Sequence, residues 1–151
     1  MKIEERLKEL GLTLPAVSAP TNSYVAVKQT GSLLFVSGHV PKKDGSYPHL
    51  GKVGAEVTLE LARESARICI INCLASLQHY LGDLDKVKSI VKVVGFVASA
   101  PTFTEQPKVI NAASDLLIDI FGEAGKHARS AVGMAVLPSD VPVEIEMIVE
   151  V

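Results

Sequence analysis

The sequence predicts an α+β domain in which two long helices lie on one face of a mixed sheet. Two segments, 59–81 and 103–121, carry apolar residues that recur every three or four positions, the spacing of a helix with one buried stripe. Around them lie short runs rich in valine and isoleucine, side chains that suit a pleated, half-buried surface. Glycines and prolines stand at the borders of these runs, where the chain must turn.

The elements follow in order. Ile3, Leu7 and Leu10, with charges between them, predict an amphipathic helix ended by Gly11. Residues 13–23 hold Pro15 and Pro20 and form an extended connector into a strand at Tyr24-Val25-Ala26-Val27. Gly31 and Gly38 bracket the apolar run Leu33-Leu34-Phe35-Val36, a buried strand. Residues 41–54, with Gly45, Pro48 and Gly51, make a turn-rich loop. Thr58 is placed to cap the long helix 59–81 and Gly82 to stop it. That helix turns Ala62, Ala66, Cys69, Cys73 and Leu77 inward among its apolar residues. Residues 87–97 form the next strand. The helix over 103–121 buries Val109, Ala112, Ala113, Leu116, Leu117 and Ile120, and Gly122 and Gly125 break it. Strands over 128–138 and 143–151 close the sequence.

Composition bounds the function. The 151 residues are 48% hydrophobic and 21% charged, which suits one domain over 1–151 with residues 1–15 as a helical extension. No apolar run is long enough to span a bilayer, and the charged first helix is unlike a signal peptide, so the expected location is the cytoplasm. A net charge of −2 without a basic stripe disfavours nucleic acid as a partner. Cys69 and Cys73 share a helix face and are expected to be buried reduced thiols. His39, His49, His79 and His127 have no metal-ligand spacing; His127, two residues before Arg129, is placed to reach the same region.

The closing strands raise a packing question. Val143, Ile145, Met147, Val149 and Val151 alternate with Glu144, Glu146, Ile148 and Glu150, so only the first set is plainly core. In 128–138 both faces are apolar or small, and such a strand needs cover on both sides. Packing of sheet faces between copies of the chain supplies it.

Arg129 and Glu144 carry the candidate chemistry. An arginine at a strand mouth offers a planar, always-charged fork that fits a carboxylate, and a nearby glutamate can orient water or move a proton. From the residues alone, Arg129 also fits a surface arginine and Glu144 a solvated outward residue.

Several pieces in order resemble one family: Pro20 to Tyr24, Ser37-Gly38-His39-Val40-Pro41, the helix around 62–77, Val91 to Val97, Val109-Ile110-Asn111, Ala128-Arg129-Ser130-Ala131-Val132, and Leu137-Pro138 before Val143-Glu144-Ile145-Glu146. Together they resemble the Rid family of reactive-intermediate deaminases, also called YjgF-like or L-PSP endoribonuclease-like proteins. The resemblance implies a chorismate-mutase-like fold whose sheets close into a homotrimeric barrel with sites between subunits. It implies that Arg129 grips a substrate carboxylate, that Glu144 positions water, and that Tyr24, Asn111 and the backbone at Gly38 line the cleft.

The implied reaction hydrolyses small 2-enamino or 2-imino carboxylic acids to 2-keto acids and ammonia. An imine is already electrophilic, so a fixed carboxylate and an oriented water suffice without metal or organic cofactor. Ala131 and Gly133 stand where many family members have cysteine and glutamate, which implies a smaller-walled, less polar cleft. The helix at 2–10 and the long 41–54 loop imply a distinct subgroup. Two other functions fit the same residues: a non-catalytic, small-carboxylate-binding or regulatory trimer, and an endoribonuclease.

Overall fold

The computed structural model describes residues 2–19 and 23–151; Pro20, part of the predicted connector, lies outside them. Helix α1 spans Lys2–Glu9, α2 Leu59–Leu81 and α3 Gln106–Phe121. The strands are β1 Val27–Thr30, β2 Leu33–His39, β3 Ser89–Ala98, β4 Ala128–Met134 and β5 Val143–Glu150. They form one five-stranded sheet in the order β1-β2-β5-β3-β4. Only the β3–β4 pair is parallel; α3 makes the crossover that a parallel pair requires.

Local chemistry explains the long helix. Thr58 accepts a hydrogen bond from the Leu61 amide at 3.2 Å, satisfying a donor with no partner inside the helix. Gly82, at φ 80°, ends it in the left-handed region and donates to the Gln78 carbonyl at 2.7 Å. Ala62, Ala66, Cys69, Cys73 and Leu77 are fully buried, and the two free thiols donate to the carbonyls of Val143 and Ile145. Burial raises both thiol pKa values well above their ordinary range, as expected of packed, inert cysteines.

Helices α2 and α3 cover one sheet face. Val143, Ile145, Met147 and Val149 point into that layer with Ile90, Val93 and Val97 of β3. Gly95 lets α3 come close: a side chain there would strike Ile110. All six apolar residues expected on the inner face of α3 are buried. Helix α1 docks at the far end, where the amides of Lys2 and Ile3 each donate to the Asp85 carboxylate at 2.9 Å. Among the described residues, no helix is long and apolar enough to cross a membrane.

Four boundaries differ from the sequence expectation, two set by strand partners and two by local turns. β1 begins at Val27 rather than Tyr24 because its register starts at Val27 opposite Val36. Tyr24 and Val25 precede it exposed, and Ser37 holds that approach through its hydroxyl to the Val25 carbonyl at 2.7 Å. β3 begins at Ser89, after a 3₁₀ turn at Leu84–Lys86 takes Val87. α3 starts at Gln106, since Pro107 sits in its first turn and the chain before it is folded into a turn. β4 stops at Met134 because its neighbour β3 ends at Ala98, the residue opposite.

Candidate functional site

Strand alternation divides the predicted site residues between the two sheet faces. Arg129 lies opposite Val93, which lies opposite Met147, so Arg129 shares the helix-covered face with Ala131 and Gly133. Glu144 lies opposite Phe96, which lies opposite Val132, on the other face. Within one chain, the arginine and the glutamate point to opposite sides of the sheet.

The arginine cluster is built by β4 and α3. Arg129 Nη1 donates to Asn111 Oδ1 at 2.8 Å and to Ser114 Oγ at 3.2 Å. Asn111 and Ser114 are one turn apart, so both reach the same side of α3. Both Nη1 protons are thereby engaged. Among the described residues, no protein acceptor meets Nε or Nη2, the edge whose two parallel N–H groups match a carboxylate. Asn111 is exposed and Arg129 half-buried, so this edge borders solvent.

The second cluster centres on Gly38. A Cβ at Gly38 would lie 2.5 Å from Glu144 Oε2, so the glutamate lies across the space that the glycine leaves open. Burial, and secondly the nearby Glu146, raise the Glu144 carboxyl above its ordinary pKa. Tyr24 and Gly38 both line an open groove of about 680 Å³. Its walls include Pro15–Ala19 of the connector, Lys42 and Tyr47 of the long loop, and Asn72 and Ser76 of α2. His39 is fixed there: Nδ1 lies 2.6 Å from the Ser37 carbonyl and Nε2 2.8 Å from Ser76 Oγ. Burial lowers its pKa, more than the Ser37 carbonyl raises it.

Thus Arg129 meets Asn111, Gly38 meets Glu144, and Tyr24 shares the Gly38 groove; the two groups remain apart in a single chain. Sequence reasoning missed Ser114 as a partner of Arg129, although its spacing of three from Asn111 on a predicted helix was the available signal. At Gly133, where the resemblance implies a less polar wall, two neutral polar side chains lie close. A Cβ there would lie 2.9 Å from Gln106 Nε2 and 3.2 Å from Ser99 Oγ, so an amide and a hydroxyl fill the space from α3 and the end of β3. Gln106 Nε2 itself donates to Ser99 Oγ at 3.2 Å and to the Phe103 carbonyl at 2.9 Å.

Among the described residues, no helix covers the other sheet face. Phe35 and Val132 are 43% and 39% exposed on it, and a depression of about 370 Å³ opens among Lys28, Phe35, Lys92, Val94, Glu146 and Ile148.

A five-stranded mixed sheet backed on one face by two long helices is a chorismate-mutase-like α+β fold. The sequence pattern of the family described as "YjgF/chorismate mutase-like, putative endoribonuclease" matches residues 4–151, and the chain belongs to that family. It is 44% identical to Protein TCP17 of Trypanosoma cruzi over 150 residues, 99% of this chain and 94% of that protein. A crystal structure of a protein of unknown function from Agrobacterium tumefaciens is 47% identical with a TM-score of 0.93, covering 99% of this chain and 93% of that one. Escherichia coli TdcF with bound serine is 25% identical with a TM-score of 0.64, covering 91% and 93%.

Proposed function

We propose that the protein hydrolyses small 2-enamino and 2-imino carboxylic acids to 2-keto acids and ammonia, as a homotrimer with its sites between subunits. The observation that carries this reading is the free Nε–Nη2 edge of Arg129, beside an Nη1 already tethered to α3. Such an edge binds the planar substrate carboxylate with two parallel hydrogen bonds. The opposite facing of Arg129 and Glu144 supports an inter-subunit site: one chain's arginine cradle meets another chain's Gly38–Glu144 side. The uncovered sheet face with Phe35 and Val132 supplies the apolar surface for that assembly. Serine bound to TdcF, an amino acid with its own carboxylate, agrees with the substrate class.

In the proposed reaction, Arg129 holds the carboxylate and so places the adjacent C=N carbon. Glu144, paired with Tyr24 and the Gly38 backbone around the ligand, orients a water. Its oxygen adds to the imine carbon while a proton reaches nitrogen; a second proton transfer from the new hydroxyl releases ammonia and leaves the C=O of the keto acid. The raised pKa of Glu144 suits it to pass that proton. Fixing the carboxylate and the water together supplies the rate effect through proximity.

The test is hydrolysis of 2-iminopropionate or 2-iminobutyrate, generated in situ by an amino-acid oxidase, with wild type beside Arg129→Ala. Acceleration by wild type that the variant loses supports the reading. A folded trimer that binds 2-ketobutyrate through Arg129 but gives no acceleration is instead a carboxylate-binding protein. RNA cleavage lost in Arg129→Ala would favour the nuclease reading that the family description carries.

A further inference from the structure

Behind Arg129 stands a chain of hydrogen bonds that the reaction does not itself require. His127 Nδ1 lies 2.6 Å from the Gly125 carbonyl, and its Nε2 lies 2.8 Å from Ser114 Oγ. Ser114 Oγ in turn receives Arg129 Nη1 at 3.2 Å. With a neutral imidazole, the donor and acceptor roles along this chain follow from its partners. A carbonyl only accepts, so Nδ1 carries the proton, and in the neutral ring Nε2 is then an acceptor. Ser114 has one hydroxyl proton, which goes to Nε2, and its lone pair faces the guanidinium.

The anchor of the chain is equally constrained. Gly125 is buried, and a side chain there would strike the Leu117 carbonyl of α3. The turn therefore seats against the helix that carries Asn111 and Ser114 and presents its own carbonyl to His127. The histidine and serine are half-buried, while the arginine edge they support borders the cleft.

We propose that Ser114 and His127 are positioning residues for Arg129: the relay from the Gly125 carbonyl through His127 and Ser114, with Asn111, holds both Nη1 protons and leaves the Nε–Nη2 edge aimed at a ligand carboxylate. This rests on the carboxylate-clamp reading of Arg129. An untethered arginine samples many rotamers and presents its fork only part of the time; the relay removes that freedom before the ligand arrives. His127 acts by holding the Ser114 proton at Nε2, which fixes the hydroxyl's orientation and keeps its lone pair turned to the guanidinium, a group that can only donate.

The experiment measures 2-ketobutyrate binding by titration calorimetry and 2-iminobutyrate hydrolysis for wild type, Arg129→Ala, Ser114→Ala, His127→Phe, His127→Gln and the double variant S114A/H127F. Ser114→Ala and His127→Phe are each expected to weaken binding and raise KM about threefold to tenfold, with kcat within about twofold of wild type. The double variant is expected to match the worse single, because both interrupt one chain. His127→Gln, whose amide oxygen also accepts the serine proton, is expected to regain wild-type binding. Loss of binding in Arg129→Ala alone, with Ser114→Ala and His127→Phe like wild type, overturns the relay and spares the clamp. Single effects that multiply in the double variant, or a fall in kcat at unchanged KM, also overturn the relay. Wild-type binding by Arg129→Ala overturns the clamp itself.

Discussion

Replacing Gly38 by alanine tests whether the position of the Glu144 carboxylate matters to turnover. Gly38 is not among the glycines with positive φ, so alanine is permitted by the backbone and the only conflict is local. The new Cβ would lie 2.5 Å from Glu144 Oε2, 3.1 Å from Cδ and 3.3 Å from Cγ, whereas ordinary contact begins near 3.4 Å. The carboxylate must therefore retreat by about 1 Å, and a displacement of that size in a reacting group can reduce rate by as much as about a hundredfold. The conflicting atoms are the end of a flexible side chain, so the fold should absorb the change by a rotamer shift. We expect kcat for 2-iminobutyrate to fall about tenfold to a hundredfold, with 2-ketobutyrate binding through Arg129 retained. Thermal unfolding should move by less than about 4 °C, the shift that roughly 1 kcal/mol produces in a domain of this size. Steady-state kinetics, titration calorimetry with 2-ketobutyrate and a melting curve on the same preparation read all three. Unchanged kcat would refute the placing of Glu144 in the reaction, and a melting drop well beyond that range would refute the claim that the conflict stays local.

Further outcomes follow from the same geometry. Val132→Glu, in the row with Phe96 and Glu144 on the uncovered face, should yield folded monomers by light scattering and abolish turnover; an active assembly of unchanged mass would remove the inter-subunit site. Glu144→Gln removes a carboxyl whose folded pKa is raised by burial and Glu146. The wild-type fold binds the proton more tightly than the unfolded chain, so its stability falls as pH rises from the ordinary carboxylate value through the raised folded one. The melting temperature of Glu144→Gln relative to wild type should therefore climb between acidic and neutral pH, and a difference constant with pH would count against it. Asp85 behaves oppositely: the amides of Ile3 and Lys2 hold its pKa below the ordinary carboxylate value. Its contribution is present above the unfolded pKa and is lost as pH falls through the folded one. Asp85→Ala should lower the melting temperature at neutral pH and converge with wild type at strongly acidic pH, as read by parallel melts.

Much of the fold was legible because it rests on local rules. Thr58 and Gly82 mark the limits of α2 in the sequence since capping and the left-handed turn depend on a few neighbouring residues. The alternation of β5 gave its buried face directly, since a strand reverses sides at each residue. Boundaries set by a partner were less legible. Nothing near Met134 announces that β4 ends there; the end of β3 at Ala98 decides it. The apolar Phe103 extended the apparent pattern of the second long helix upstream, whereas α3 starts at Gln106 with Pro107 in its first turn.

The candidate site divides the same way. The sequence by itself determined the residue types, an arginine before an apolar strand, a glutamate on the alternate side of the last strand, an asparagine on a helix, and by resemblance their family. It also determined the long helices and the buried face of β5, because periodicity and propensity act over neighbouring residues. The tertiary structure decided that Arg129 and Glu144 face opposite sides of the sheet, since that follows from their cross-strand partners Val93 and Phe96. It alone brought Ser114 and His127 behind the guanidinium, and Gln106 and Ser99 over Gly133. Such contacts join residues far apart in sequence, and their hydrogen-bond geometry is set by how α3 packs on β3 and β4 rather than by any pattern along the chain.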